Sequence, residues 1–203
     1  MAFQLMWYET KLPEGVVDSM VSDLQNFDSD LELGKLGTNK NGGINLDRRN
    51  NQATFIPGSH WIAGFCYHYI SMANQNNFMY DIESFGHNVL QYSAYGPGEY
   101  YDWHVDTSIA DNHSNEGRSV EENFIINQTE KVRKLSISVQ LSSPEEYSGG
   151  EFQLLTDDND SYFAPKERGT IIIFDSRMRH RVRKVNSGCR KSLVGWVIGP
   201  RWR

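Results

Sequence analysis

Residues 134–155 read KLSISVQLSSPEEYSGGEFQLL, and the rhythm of this stretch decides the fold. KLSISVQLS (134–142) alternates apolar and polar residues with a period of two, the pattern of a half-buried strand. GEFQLL (150–155) follows as a second short β-type run after a turn-rich interruption. The rhythm extends both ways. FMYDIE (78–83) and NVLQYSAY (88–95) precede it; TIIIFD (170–175), HRVRKV (180–185) and SLVGWVI (192–198) follow. IIIF is a continuous apolar run, as expected of a strand covered on both faces. Seven short runs punctuated by Gly and Pro, without intervening helices, predict antiparallel strands closed into a sandwich or barrel such as a jelly roll.

Upstream the period changes. Residues 13–26 begin with Pro13 at a first helical turn and place Val16, Val17, Met20, Val21 and Leu24 on one face. A second amphipathic helix follows Pro57-Gly58, with Ser59 as its N-cap and Trp61, Ile62, Phe65, Cys66, Tyr69 and Ile70 on the apolar side. GKLGTNKNGG (34–43) is a loop by composition. The polar, acidic segment 107–130 is long for a loop inside a compact domain, which points to a functional or mobile element. There is no internal repeat and no linker. The expectation is one α+β, mainly β domain over 1–203: a helical N-terminal part, 1–77, packed on one sheet of a jelly-roll core, 78–200.

A chain of 203 residues buries a full core, and 38% hydrophobic with 23% charged residues suits a globular protein. The net charge of −6 argues against nucleic acid as the main partner. The basic stretch from Arg177 to Arg203 reads as a solvated face rather than a phosphate-binding one. Cys66 and Cys189 form no C-x-x-C pair and are expected as free thiols in a reducing compartment. MAFQLMWYETKLPEG lacks the basic and apolar parts of a signal peptide, and no apolar run approaches the roughly 20 residues that span a bilayer, so the expected setting is cytoplasmic without a membrane partner.

YGPGEYYDWHVD (95–106) ends on His104 and Asp106, one residue apart. On an extended strand such a pair projects to one face. Imidazole beside carboxylate suits Fe(II), Mn(II) or Zn(II), and a third ligand from elsewhere would complete a facial triad. Of the six histidines, His60 and His68 lie in or next to the second helix, and His87 and His113 lie in polar turns. His180 opens a β run 76 residues after His104, where a jelly roll can return beside its earlier strand. Arg190 stands ten residues further on, across the turn Asn186-Ser187-Gly188. A guanidinium deep in a barrel needs an anion, which a dicarboxylate bound to the metal at its other end would supply.

The blocks YGPGEYYDWHVD, RKLSISVQLSSPEEYSGGEFQLL and RGTIIIFDSRMRHRVRKVNSGCRKSLVGW resemble, in order and spacing, the Fe(II)- and 2-oxoglutarate-dependent dioxygenases of the prolyl 4-hydroxylase-like branch. The resemblance covers roughly residues 88–199. It implies a double-stranded β-helix in which His104, Asp106 and His180 bind Fe(II). By the same resemblance Arg190 holds the far carboxylate of 2-oxoglutarate, where prolyl 4-hydroxylases often carry lysine. Tyr95 assists there, Trp196 lines the pocket, Tyr101 lies near the substrate, and Arg133, or Lys134 one position on, faces it. Gln140 departs from the family, which usually has tyrosine there. Trp103 is expected to point away from the metal, and Gly96, Gly149 and Gly150 to serve turns or bulges.

What the resemblance implies is hydroxylation of an unactivated C–H bond with O2 as oxidant, succinate and CO2 as coproducts and ascorbate as activator. Asp106 occupies the position that halogenases of this superfamily leave open, which implies hydroxylation rather than halogenation. The expected substrate is a prolyl residue in a peptide or protein, with segment 107–130 folding over it. The alternatives are a free amino acid or other small molecule and, in another class, a non-catalytic jelly-roll binding module.

Overall fold

Alternation in KLSISVQLS does mark a strand, but both of its faces are buried. The computed structural model describes residues 7–34, 46–107, 124–126, 129–156 and 160–202. The chain runs through β1 (Trp7–Lys11), α1 (Glu14–Leu24), β2 (Glu32–Leu33), β3 (Arg49–Asn50), β4 (Gln52–Ile56), α2 (Trp61–Ala73), β5 (Ser84–Tyr95) and β6 (Tyr100–His104). It continues with β7 (Phe124–Ile126), β8 (Thr129–Gln140), β9 (Tyr147–Gly149), β10 (Phe152–Leu155) and β11 (Ser161–Phe163). β12 (Thr170–Asp175), β13 (His180–Val182), β14 (Val185–Gly188) and β15 (Arg190–Pro200) complete it.

The major sheet has the order β1-β12-β8-β15-β5-β4-β2, with β7 also paired to β8; the minor sheet has the order β11-β10-β13-β6-β3. The paired strands are antiparallel, as in a double-stranded β-helix. On β8 the odd positions Leu135, Ile137 and Val139, with Leu141 just beyond, enter the core formed with Val17, Met20 and Leu24 of α1 and Ile62, Cys66 and Ile70 of α2. The even positions Ser136, Ser138 and Gln140 are 2%, 5% and 5% exposed and face inward between the sheets. β12 divides the same way: Ile171 and Ile173 pack toward the helices, while Ile172 and Phe174 join a second, inner cluster with Phe152, Leu154 and Val182.

Several local expectations change. FMYDIE is not a strand: Phe78 ends a π-helical turn, Met79 is left-handed at φ 54°, and β5 begins only at Ser84. The N-terminal part is not simply helical, because β1, β3 and β4 pair with β12, β6 and β5 and extend both sheets. His60 rather than Ser59 caps α2, its Nδ1 accepting from Ile62 N at 3.4 Å. Trp61 is 43% exposed and donates to Asp23 of α1 instead of entering the core. Asn186-Ser187-Gly188 belongs to β14, paired with β9, and is not a free turn. Most of 34–43 and 107–130 lies outside the described residues, although Phe124–Ile126 and the start of β8 show that the second segment ends as a hairpin.

Both cysteines are free thiols; Cys66 is buried, which pushes its pKa up to about 12, and Cys189 is exposed. Among the described residues no helix is long and apolar enough to cross a membrane. The basic C-terminal stretch is dispersed: Arg177 pairs with Asp175, Arg181 donates to Gln153, Lys191 pairs with Asp28, and Arg190 turns inward.

Ile137 is 1% exposed and points to the helices, away from the inner face. Ile137→Ala should lower the unfolding free energy by about 2–5 kcal/mol, measured by urea denaturation. A loss below about 1 kcal/mol would mean that the helices do not seal this face.

Candidate metal centre

At Tyr95 the chain leaves the major sheet, and Gly96-Pro97-Gly98-Glu99 turns it into β6. Glu99 N donates to Gly96 O at 3.0 Å, and the Glu99 carboxylate accepts from Gly96 N at 2.7 Å. Pro97 pre-sets the second position and Gly98, at φ 86°, supplies the left-handed third position of a type II turn. Backbone bonds from Gly98 N to Val185 O and from Val185 N to Glu99 O tie this turn to β14.

β6 ends on His104, which lies directly opposite His180 of β13, with ring centroids 4.1 Å apart. Asp106 is not on the strand, so period-two alternation is not what brings the pair together. It sits in a bend after β6, where Asp106 N and Thr107 N both donate to Ser176 O at 3.0 Å. That bend returns the carboxylate to the imidazoles: His104 Nε2 is 3.9 Å from Asp106 Oδ1, and His180 Nε2 is 3.6 Å from Oδ2. One ligand atom from each of the three residues falls within 4.8 Å of the others.

The protons follow from the partners. His104 Nδ1 lies 2.7 Å from Asp102 O, and His180 Nδ1 lies 2.9 Å from Met178 O. A carbonyl only accepts, so both Nδ1 atoms carry a proton, which leaves Nε2 of each ring as the nitrogen that can bind a metal. Burial, reinforced by the neighbouring His180, lowers the His104 pKa to about 3, so its ring is neutral at neutral pH. Burial alone would raise Asp106; His180 beside it, Arg133 and a hydrogen bond from Ser136 outweigh it and hold the carboxyl below its usual range. Two imidazoles and one carboxylate, each anchored from behind, fit a divalent iron of the 2-His-1-carboxylate kind.

Of the other expected residues, Tyr101 and Arg133 touch this cluster directly. The Tyr101 ring stacks on His104 with centroids 3.6 Å apart and an interplanar angle of 11°. Arg133 reaches Asp106 O at 3.5 Å and lies 4.2 Å over the ring of Trp196. Arg190, 3% exposed, pairs in register with Tyr95, lies 5.6 Å from its ring and donates to Ser192 Oγ at 3.0 Å. Trp103 lies under Arg181 at 4.5 Å. Lys134 points elsewhere, 3.7 Å over the Trp202 ring, so of the pair it is Arg133 that lies beside Asp106.

Several neighbours escaped the sequence reading. Arg190 opens onto a cavity of about 10 Å³ also lined by Gln140, Tyr147, Lys166 and Thr170. Gln140 Nε2 donates to the Tyr147 hydroxyl at 3.0 Å, so a tyrosine from β9 stands beside Arg190 although position 140 itself is not aromatic. Lys166 lies 4.3 Å over the Tyr147 ring. Gly150, at φ 65°, has no room for a side chain: a Cβ would meet Val185 at 2.9 Å and the Arg190 stem at 3.3 Å. Arg49 of β3, 6% exposed, lies 4.9 Å over Tyr101 and donates to Asn51 at 2.7 Å. No short motif marks Tyr147, Lys166, Thr170 or Arg49.

A double-stranded β-helix carrying a His-x-Asp…His cluster, with a buried arginine on its last strand, defines a mononuclear non-haem iron protein scaffold. The model of the 2OG-Fe(II) oxygenase superfamily matches residues 90–198, more than half of the chain. The chain belongs to this family, which implies Fe(II), 2-oxoglutarate and O2 as the cofactor set. It is 29% identical over 131 residues to a PKHD-type hydroxylase of Synechococcus elongatus, an alignment covering 63% of this chain and 52% of that protein. A PKHD-type hydroxylase of Picosynechococcus is 31% identical over 111 residues, covering 54% and 42%. The chain thus spans about half the length of the curated relatives it matches. In fold it is similar to a Pseudomonas putida prolyl-4-hydroxylase (TM-score 0.68, 19% identity, 94% of this chain and 91% of that one). It is also similar to a Trichoplax adhaerens prolyl hydroxylase in complex with a hypoxia inducible factor peptide (TM-score 0.72, 14% identity, 98% and 84%).

His104→Ala and His180→Ala should each lower Fe(II) affinity by more than about 100-fold, beyond the effect of losing an outer partner, in anaerobic equilibrium dialysis. Binding at parental strength in either variant would remove these residues from the metal site.

Proposed function

We propose that this chain is an Fe(II)- and 2-oxoglutarate-dependent hydroxylase acting on a prolyl residue of a peptide or protein. The observation that carries the reading is the joint placement of His104, Asp106 and His180 at one end of an inner polar row and Arg190 with Tyr147 at the other. His104 and His180 offer Nε2, and Asp106 a carboxylate oxygen, to the metal. Arg190 binds the far carboxylate of 2-oxoglutarate, with the Tyr147 hydroxyl beside it and Tyr95 beneath. When bound, iron, 2-oxoglutarate and O2 supply the oxidising chemistry: one oxygen atom enters the substrate C–H bond, the other enters succinate, and CO2 leaves. The chain's own work is orientation. Tyr101 and Trp196 form aromatic walls beside the metal position, and Arg133, held over Trp196, directs a cation at the substrate's carbonyl.

The similarity in fold to two prolyl hydroxylases, one bound to a peptide, supports a prolyl peptide as substrate. A second reading, a free amino acid or small carboxylate, is favoured by Arg49 and Arg133, which both act on Tyr101 from buried or half-buried positions. A mass-spectrometric screen of proline-rich peptides and free amino acids, with Fe(II), 2-oxoglutarate and ascorbate, should yield succinate and a peptide heavier by one oxygen atom. A hydroxylated amino acid without any peptide product would move the assignment to the second reading. No succinate with either panel would leave a non-catalytic module.

Arg190→Ala should raise the 2-oxoglutarate requirement roughly ten- to hundredfold, the loss expected for a charge-assisted contact. An unchanged requirement would refute its role, whatever the substrate.

A further inference from the structure

We infer that Ser136, backed by Ser176, is a positioning residue that fixes how the Asp106 carboxylate is offered to the metal. The inference rests on the iron-site reading above and concerns residues that the H-x-D…H pattern leaves out. Ser136 Oγ lies 2.6 Å from Asp106 Oδ2 and 2.9 Å from Ser176 Oγ. Ser136 and Ser176 are 2% and 0% exposed, so water does not compete for these contacts.

The proton inventory gives the pair a direction. An ionised carboxylate only accepts, so the single Ser136 O–H must point at Asp106 Oδ2. Ser136 Oγ then has lone pairs but no proton left for Ser176, so the Ser176 O–H must donate to Ser136. The result is a one-way chain, Ser176 to Ser136 to Asp106, in which each bond polarises the next. The same Ser176 accepts from Asp106 N and Thr107 N through its carbonyl. One residue therefore holds the backbone of Asp106 directly and its carboxylate through Ser136.

Ser176 is itself held in place. Its N donates to Lys134 O, and its neighbours Asp175 and Arg177 form a clamp, Arg177 Nη2 to Asp175 Oδ2 at 2.5 Å, joined by the Tyr80 hydroxyl at 2.7 Å. Ser136 lies opposite Phe174 on one side and Trp196 on the other, in the middle of the major sheet. With a hydroxyl seated on Oδ2, the carboxylate plane is fixed, and Oδ1, 3.9 Å from His104 Nε2, would be the oxygen offered to the metal. Binding through one oxygen would leave room on the metal for the cosubstrate.

The test uses the whole protein loaded with Mn(II) or Co(II), without turnover. Ser136→Ala should weaken Mn(II) binding about tenfold and change the visible spectrum of the Co(II) form, as the carboxylate turns toward two-oxygen binding. Ser136→Thr, which keeps the hydroxyl, should restore both. Ser176→Ala should shift both in the same direction by a smaller factor. Ser148→Ala, an exposed serine of β9 bonded to Ser187, should leave Mn(II) affinity at the parental value. Parental affinity and spectrum in Ser136→Ala would overturn the inference, as would Ser136→Thr behaving like Ser136→Ala. Asp106→Ala is measured alongside: if it binds Mn(II) like the parent, the iron-site reading itself fails, a result distinct from failure of Ser136 alone.

Discussion

Strand β8 is buried on both faces, and the rest of the structure depends on which residues go to which side. Toward the helices it presents Leu135, Ile137 and Val139; toward the interior it presents Ser136, Ser138 and Gln140. A slip of one residue would put three aliphatic side chains into the site and three polar ones into the apolar core, so the register is tightly specified. β15 obeys the same division, with Leu193 and Val197 toward the helices and Arg190 and Ser192 inward. The hydrophobic drive that seats α1 and α2 thereby also orients the inner polar row. Fold stability and site geometry share one pattern.

The second dependence is on backbone bonds between the sheets' crossing segments. His104 and His180 face each other because β6 and β13 pair, but Asp106 has already left the strand. Its place is fixed by Ser176, whose carbonyl receives two consecutive amides at the end of the buried β12 run. The apolar TIIIFD strand thus serves the metal site indirectly: its covered faces hold Asp175 and Ser176 still, and these hold the ligand. A loop-borne carboxylate acquires the precision of a sheet without belonging to one.

The sequence made the jelly roll legible because period-two alternation, Gly/Pro punctuation and one fully apolar run all agree, and it made the cluster legible because His104, Asp106, His180 and Arg190 occur in a specific order. Other features resisted reading for physical reasons. Alternation reports two unlike faces, not what lies beyond each, so KLSISVQLS reads as a half-buried strand although its serines are buried as well. Tyr147 and Lys166 come from turn-rich segments whose residues show no periodicity, and Ser136 acts through a contact 30 positions from Asp106. FMYDIE has strand-like composition, yet Asn74 receives Tyr80 N through its side chain and donates to Tyr80 O, closing a local turn there. His60 displaces Ser59 as the cap because an imidazole nitrogen can accept an amide proton as a hydroxyl can, a role that composition rules assign to serine first.

Net charge is the least informative of the bulk quantities here, because the charge is distributed by depth. The chain carries −6 overall, yet Arg190, Lys166, Arg133 and Arg49 all lie in or around the interior, where Asp106 is the one carboxylate among the cluster's ligands. Inside a low-dielectric cleft such cations act far more strongly than the dispersed acidic groups of the exterior. The interior therefore presents a positive field to a dianion such as 2-oxoglutarate while the surface as a whole disfavours polyanions. The two signs do not conflict: the outer one concerns what approaches the protein, and the inner one concerns what is retained.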